Sequence, residues 1–109
     1  MTRDYLYRHI QNIETLRRLT LALEVLTDEC ARADVSARVG ALEAEVNAER
    51  RAVVDFAERI TDIYVRAIFI ARYADGTTWG AIADKLGGGN TADGVRKTCE
   101  RGIDGLIEA

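Results

Sequence analysis

The apolar positions Leu6, Ile10, Ile13, Leu16, Leu19, Leu23, Leu26 and Cys30 recur at steps of three and four, which predicts one continuous helical stripe. Glu14, Arg17, Arg18 and Glu24 fill the other faces of that helix. A stricter pattern follows. Val35, Val39, Leu42, Val46, Glu49, Val53, Phe56, Ile60 and Ile63 alternate by four and three without a slip, and only Glu49 breaks the apolar run. Such spacing belongs to a coiled coil or a long helical hairpin. Between the stripes, a turn is expected near Ala33-Asp34, with one bent continuous helix as the alternative. At 1.5 Å per residue each arm would be roughly 40 Å long. An arm so long and thin is expected to pair with itself or with another chain.

Beyond Ile60 the elements shorten. Thr61-Asp62 offers an N-cap for a helix from Ile63 to Tyr73, and Asp75-Gly76 turns the chain. Thr78 then caps a short helix from Trp79 to Leu86, with Ile82, Ala83 and Leu86 inward. The run Gly87-Gly88-Gly89-Asn90 turns again, and Thr91 caps a last helix, 91–106, with Asp93 in its dipole-favoured first turn. Val95, Cys99, Ile103 and Leu106 form its apolar stripe. At 100° per residue, Lys97 falls opposite that stripe, with Gly94 and Arg101 beside it and Arg96 on the flank. Two short helices around a glycine turn, the second basic on its outer face, make the grammar of a helix-turn-helix. The expected fold is therefore all-α: a helical hairpin or coiled-coil arm over 1–60, then a helix-turn-helix unit over 61–109.

Composition narrows the classes. The 109 residues contain no proline and are 48% hydrophobic, which suits long helices and one modest core. No apolar run is long enough for a signal peptide or membrane span, so no membrane association and a cytoplasmic location are expected. Cys30 and Cys99 fit no metal or redox spacing and are expected to be buried free thiols. The net charge of −3 is awkward for a nucleic-acid binder. Only the stretch holding Lys85, Arg96, Lys97 and Arg101 is basic, against Asp93 and Glu100. So small a patch neutralises few phosphates, and a DNA role would need a dimer or a partner.

The elements Arg66, Arg72-Tyr73, Asp75-Gly76, Thr78-Trp79, Ile82-Ala83, Leu86-Gly87, Val95 and Arg101 resemble region 4 of sigma-70 factors, the module that reads the promoter −35 element. The chain as a whole is similar to the small sigma-like regulators of phages and prophages of Gram-positive bacteria, including relatives of the autolysin-regulatory transcriptional regulators. Those join an N-terminal helical coiled coil to an R-Y-x-x-G-x-[ST]-W-x-x-I-A block. The resemblance implies a DNA-binding transcriptional regulator, with RNA polymerase as a candidate second partner. Here the turn is longer than in that family, with Val95 nine residues after Leu86. Nothing resembles sigma regions 2 or 3, so the chain is not expected to melt a promoter by itself.

Other features have plainer readings. Gly87-Gly88-Gly89-Asn90-Thr91-Ala92 satisfies G-x-G-x-x-A, but no strand precedes it, so no dinucleotide cofactor is expected. Trp79 reads as a core anchor before it reads as a base-stacking residue. His9, the single histidine, has no ligand partner at metal spacing, and no nucleophile motif appears; no metal, no catalytic residue and no enzyme activity are expected. Glu49 is either a polar register device in the seam or a solvent-facing position. The expected DNA-binding residues are Lys85, Thr91, Gly94, Arg96, Lys97 and Arg101, and the partners double-stranded DNA and further copies of the chain through its N-terminal helices. Two competing classes remain open: a phage terminase small subunit, and a protein-interaction module built on a degenerate helix-turn-helix.

Overall fold

The computed structural model describes residues 1–108, and the regular structure in them is helical. Helix α1 (Arg3–Val25) starts at Thr2, whose hydroxyl accepts the Tyr5 amide. Helix α2 (Glu29–Ala57) starts at Asp28, whose carboxylate accepts the Ala31 amide at 2.8 Å. The turn therefore lies at Leu26–Asp28, earlier than the expected Ala33-Asp34, and the two stripes are separate helices. The cause is a capping pair. Asp28 supplies the N-cap of α2, while the Arg32 guanidinium reaches back to the carbonyls of Leu23 and Leu26 and satisfies the last turn of α1. Cys30 accordingly leaves the first stripe and sits exposed in the first turn of α2, so only Cys99 is a buried thiol.

The second stripe also ends early. Glu58, Arg59 and Ile60 fold as a tight turn, and Ile63 opens α3 (Ile63–Phe69) at 75% exposure, outside the seam. Asp62 caps α3 through the amides of Tyr64 and Val65. Arg66 turns back to donate two hydrogen bonds, from Nε and Nη2, to the Ile60 carbonyl. α3 runs on into a π-helical turn, Ile70–Ala74, that widens the backbone before Gly76. Then come α4 (Trp79–Leu86) and α5 (Ala92–Ile103). The last helix stops at Ile103, short of Leu106, and the chain turns through Gly105 at φ 84°. The Glu108 amide then meets the Met1 carbonyl at 3.0 Å.

One apolar cluster joins both halves of the chain. Leu6, Val53, Phe56, Ala57 and Ile60 pack with Phe69, Tyr73, Ile82, Val95, Cys99 and Ile103. The distal arm differs: no residue from 10 to 45 is buried, although Leu16, Leu19, Leu23, Val35, Val39 and Leu42 line the seam half-covered. The molecule is accordingly elongated, 49 × 30 × 20 Å.

Where the arm meets the head, the seam turns polar. His9 is fully buried and Glu49 is 8% exposed, so Glu49 is an interior group rather than a solvent-facing one. His9 Nδ1 lies 2.8 Å from Glu49 Oε1, and its Nε2 donates to the Ala74 carbonyl at 2.9 Å. Asn12 donates to Glu49 Oε2 at 2.9 Å. With Nε2–H committed to a carbonyl, one further proton lies between Nδ1 and Oε1. The pair is neutral whichever atom holds it, and every polar side-chain atom of His9 and Glu49 has a partner.

Truncating one member of such a pair strands the other, at about 3–5 kcal/mol, whereas an apolar replacement of both costs far less. We therefore expect His9→Ala to lower the urea midpoint strongly, and the double variant His9→Leu, Glu49→Leu to recover much of the loss. Equal destabilisation in the single and double variants would contradict the bridge.

Candidate nucleic-acid interface

α4 and α5 are placed by their caps and by the turn between them. The Thr78 hydroxyl accepts the Ala81 amide, and the Thr91 hydroxyl accepts the Gly94 amide, both at 3.1 Å. Gly87, Gly88 and Gly89 all have positive φ (64°, 62° and 79°), a run that residues with a Cβ adopt only with strain. The Asn90 side chain closes the turn on the Gly87 carbonyl at 2.7 Å.

The inner face of α5 is Val95, Cys99 and Ile103, as the spacing predicts. Burial pushes the Cys99 thiol up to about 12, so it stays protonated as part of the core. Glu100 faces the inner flank, where it accepts from the Tyr73 hydroxyl at 3.0 Å and pairs with Arg3 at 2.6 Å. Desolvation, reinforced by the Glu100 charge, raises the Tyr73 phenol well above its usual range and keeps it a donor. Tyr73 also stacks edge-on against Trp79, with centroids 5.9 Å apart, and the Arg72 guanidinium lies 5.4 Å from the Trp79 ring centre. Trp79 thus anchors α4 to the core.

The outer face of α5 carries the expected residues of that helix. Thr91, Gly94, Arg96, Lys97 and Arg101 are all exposed on or beside α5, and Lys97 projects away from the buried stripe. Asp93, however, holds two of the cations. Its Oδ1 is 2.8 Å from Arg96 Nη2 and its Oδ2 is 3.0 Å from Lys97 Nζ. Hydrogen bonds from Arg96 and Lys97 hold the Asp93 carboxyl below the usual carboxylate range, so it is ionised at neutral pH. The i, i+3 and i, i+4 spacing carried this signal in the sequence. Arg101 has no ion pair among the described residues.

Gly94 is exposed, and a Cβ there would sit 3.1 Å from Thr91 Oγ1. Lys85 lies in the last turn of α4 and lines a cavity of ≈ 320 Å³ between α3 and α4, with Tyr64, Ile68, Ala71, Ile82 and Leu86. Among the described residues, no group of His, Cys, Asp and Glu is arranged to hold a metal. No helix among them is long and apolar enough to cross a membrane. No family model, curated protein or solved structure matches the chain.

One residue outside the expected set fixes how close α5 lies to α3. A Cβ at Gly102 would fall 2.3 Å from Val65 Cγ1 and within 3.2 Å of two further Val65 atoms, a clash that the stiff valine cannot rotate away from. Gly102→Ala should therefore cost about 1–3 kcal/mol as overpacking. Gly40, inside α2 with nothing within 4 Å of its would-be Cβ, is the opposite case. Gly40→Ala should stabilise by about 0.5–1 kcal/mol. A Gly102→Ala variant as resistant to urea as the wild type would show that Gly102 is not a close-approach position, and a destabilised Gly40→Ala would contradict the open site at Gly40.

Proposed function

We propose that the chain is a sequence-specific DNA-binding transcriptional regulator of the small sigma region 4-like, phage or prophage type, acting as a binding protein rather than an enzyme. α4 and α5 serve as its helix-turn-helix, and α5 enters the major groove. The observation that carries this reading is the two-sidedness of α5. Val95, Cys99 and Ile103 are buried while Arg96, Lys97 and Arg101 stand exposed. That is the arrangement required of a helix whose back is held by a core and whose front meets base edges and phosphates. Lys97 and Arg101 are the base-side contacts. Arg96 and Lys85 brace phosphates, and the capped N-terminus at Thr91 lies beside one more. The resemblance of the stretch from Arg66 to Arg101 to sigma region 4 supports the same assignment, with RNA polymerase as a second partner and a cytoplasmic location.

Lys97→Ala, Arg101→Ala should remain folded, because both side chains are exposed. A lysine or arginine bidentate to guanine is worth about 1–3 kcal/mol of discrimination at one position, while each lost phosphate contact reduces the salt slope by about one. Unchanged duplex affinity and salt dependence in the folded double variant would rule out α5 as the reader.

The arm is proposed to associate with further copies of the chain. Support comes from the absence of any buried residue between 10 and 45, and from Leu21 and Val25, which stand 55% and 78% exposed on the side of α1 away from the seam. A two-helix arm gains most of its stability from an apolar face packed against further helices. Leu21→Glu, Val25→Glu should therefore lower the sedimenting mass and leave the monomer's helicity intact. A wild-type chain that sediments as a monomer at high concentration would refute the association; ring-shaped oligomers would favour the terminase small-subunit reading.

One observation favours the protein-interaction alternative. The cavity between α3 and α4 is apolar and opens beside Tyr64 and Leu86, both exposed, while the chain as a whole is acidic. Absence of any salt-sensitive duplex binding would make that reading the better one.

A further inference from the structure

The exposed face of α5 holds a three-way ion pair that the DNA reading does not by itself require. Asp93 stands in the first turn, and each of its carboxylate oxygens is given to a different cation, Arg96 and Lys97. These are two of the three basic side chains on that face. The third, Arg101, is about one turn beyond Lys97 along the helix. For Arg96 or Lys97 to close on a phosphate, the Asp93 carboxylate has to be displaced or left beside a second anion.

We propose that Asp93 is a specificity-determining residue: it competes with backbone phosphate for Arg96 and Lys97 on random duplex, and on the preferred sequence it accepts a hydrogen bond from an exocyclic amino group of a base. This rests on the DNA-binding reading. An ionised carboxylate is an acceptor only. In the major groove the donors it can meet are the N4 amino group of cytosine and the N6 amino group of adenine. The N-terminal residues of a reading helix are the ones that reach base edges, and Asp93 is there. When such a donor satisfies the carboxylate, Arg96 is released toward a flanking phosphate and Lys97 toward a base edge. Without the donor, the carboxylate keeps both cations and the patch stays weak. Non-specific binding, which depends almost entirely on phosphate neutralisation, is thereby penalised more than specific binding.

The test uses the intact chain as wild type, Asp93→Asn and Asp93→Ala. Each is titrated over a salt series with a random-sequence duplex pool and with a duplex enriched from that pool on the wild type. Thr91 supplies the helix cap, so circular dichroism should be the same for all three. Both variants should bind the random pool more tightly, and the log affinity against log salt should steepen by about one to two as two cations are freed for phosphate. In Asp93→Ala the preference for the enriched duplex over the pool should fall by about 5- to 150-fold, with the loss at a cytosine or adenine position. Variants that match the wild type on both duplexes, or that weaken on both alike, would overturn the assignment and leave the DNA reading standing. If the wild type and both variants all fail to bind duplex in a salt-dependent way, the DNA reading itself is refuted and this proposal with it. Salt-dependent pool binding gained only by the variants would uphold the competition for phosphate and deny the wild type its amino-group contact.

Discussion

The polar bridge from His9 through Glu49 and to Ala74 is the constraint on which the rest of the structure depends. Its three members come from α1, α2 and the end of the π-helical turn, which are remote in sequence. Each ring nitrogen of His9 has a single partner, so the imidazole fixes both the stagger of the two long helices and the distance from them to the turn. The turn is held a second time by Arg50, whose Nε pairs with Asp75 Oδ1 at 2.9 Å, and a third time by Ile13, which lies against the position a Cβ on Gly76 would take. Apolar packing alone specifies none of this, because a seam of valine and leucine tolerates a shift of register. A buried polar group with one correct partner does not.

From that fixed turn the chain passes directly into α4. Trp79 stacks on Tyr73, and Tyr73 donates to Glu100 of α5, so the aromatic pair carries the position of the arm into the last helix. Arg3 closes the circuit by pairing with Glu100 from the first turn of α1. Gly102 then allows α5 to approach Val65 more closely than any side chain would permit. The back of α5 is consequently determined by four elements, while its front touches none of them. That division gives the outer face of α5 its freedom to carry charge.

Much of this was legible in the sequence, and the misses share a cause. The caps Thr78 and Thr91, the bounds of α4 and the stripe Val95, Cys99, Ile103 follow from local rules, and the structure has them where the pattern puts them. Periodicity runs on through Cys30 and so places the turn between the arms at Ala33-Asp34, later than the structure has it. What decides it is Asp28 together with Arg32 reaching back to the end of α1, an interaction between residues that no periodicity weighs. Local pattern leaves both readings of Glu49 open because its partner lies forty positions away. A lone buried carboxylate and a lone histidine look like two separate oddities until the chain folds them together. The clamp on Arg96 and Lys97 was different: the i, i+3 and i, i+4 spacing was in plain view, and counting charges as a sum concealed that Asp93 could hold both cations at once.

That pairing also bears on how an acidic chain could serve as a DNA-binding protein. A strongly basic surface binds any duplex, and selectivity must then be built on top of a large indiscriminate attraction. Here the total charge is −3, and two of the three exposed cations of α5 share the one negative charge of Asp93 within the helix. One copy would gain little from phosphate alone, so its binding would have to come from base-edge contacts, from a second copy brought by the arm, or from both. Two linked heads add their contacts at an effective concentration set by the arm, without either head becoming sticky. On the proposed DNA-binding reading, the half-covered seam from Leu16 to Leu42 and the restrained charge on α5 would belong to one design, in which assembly supplies affinity and the helix face supplies discrimination.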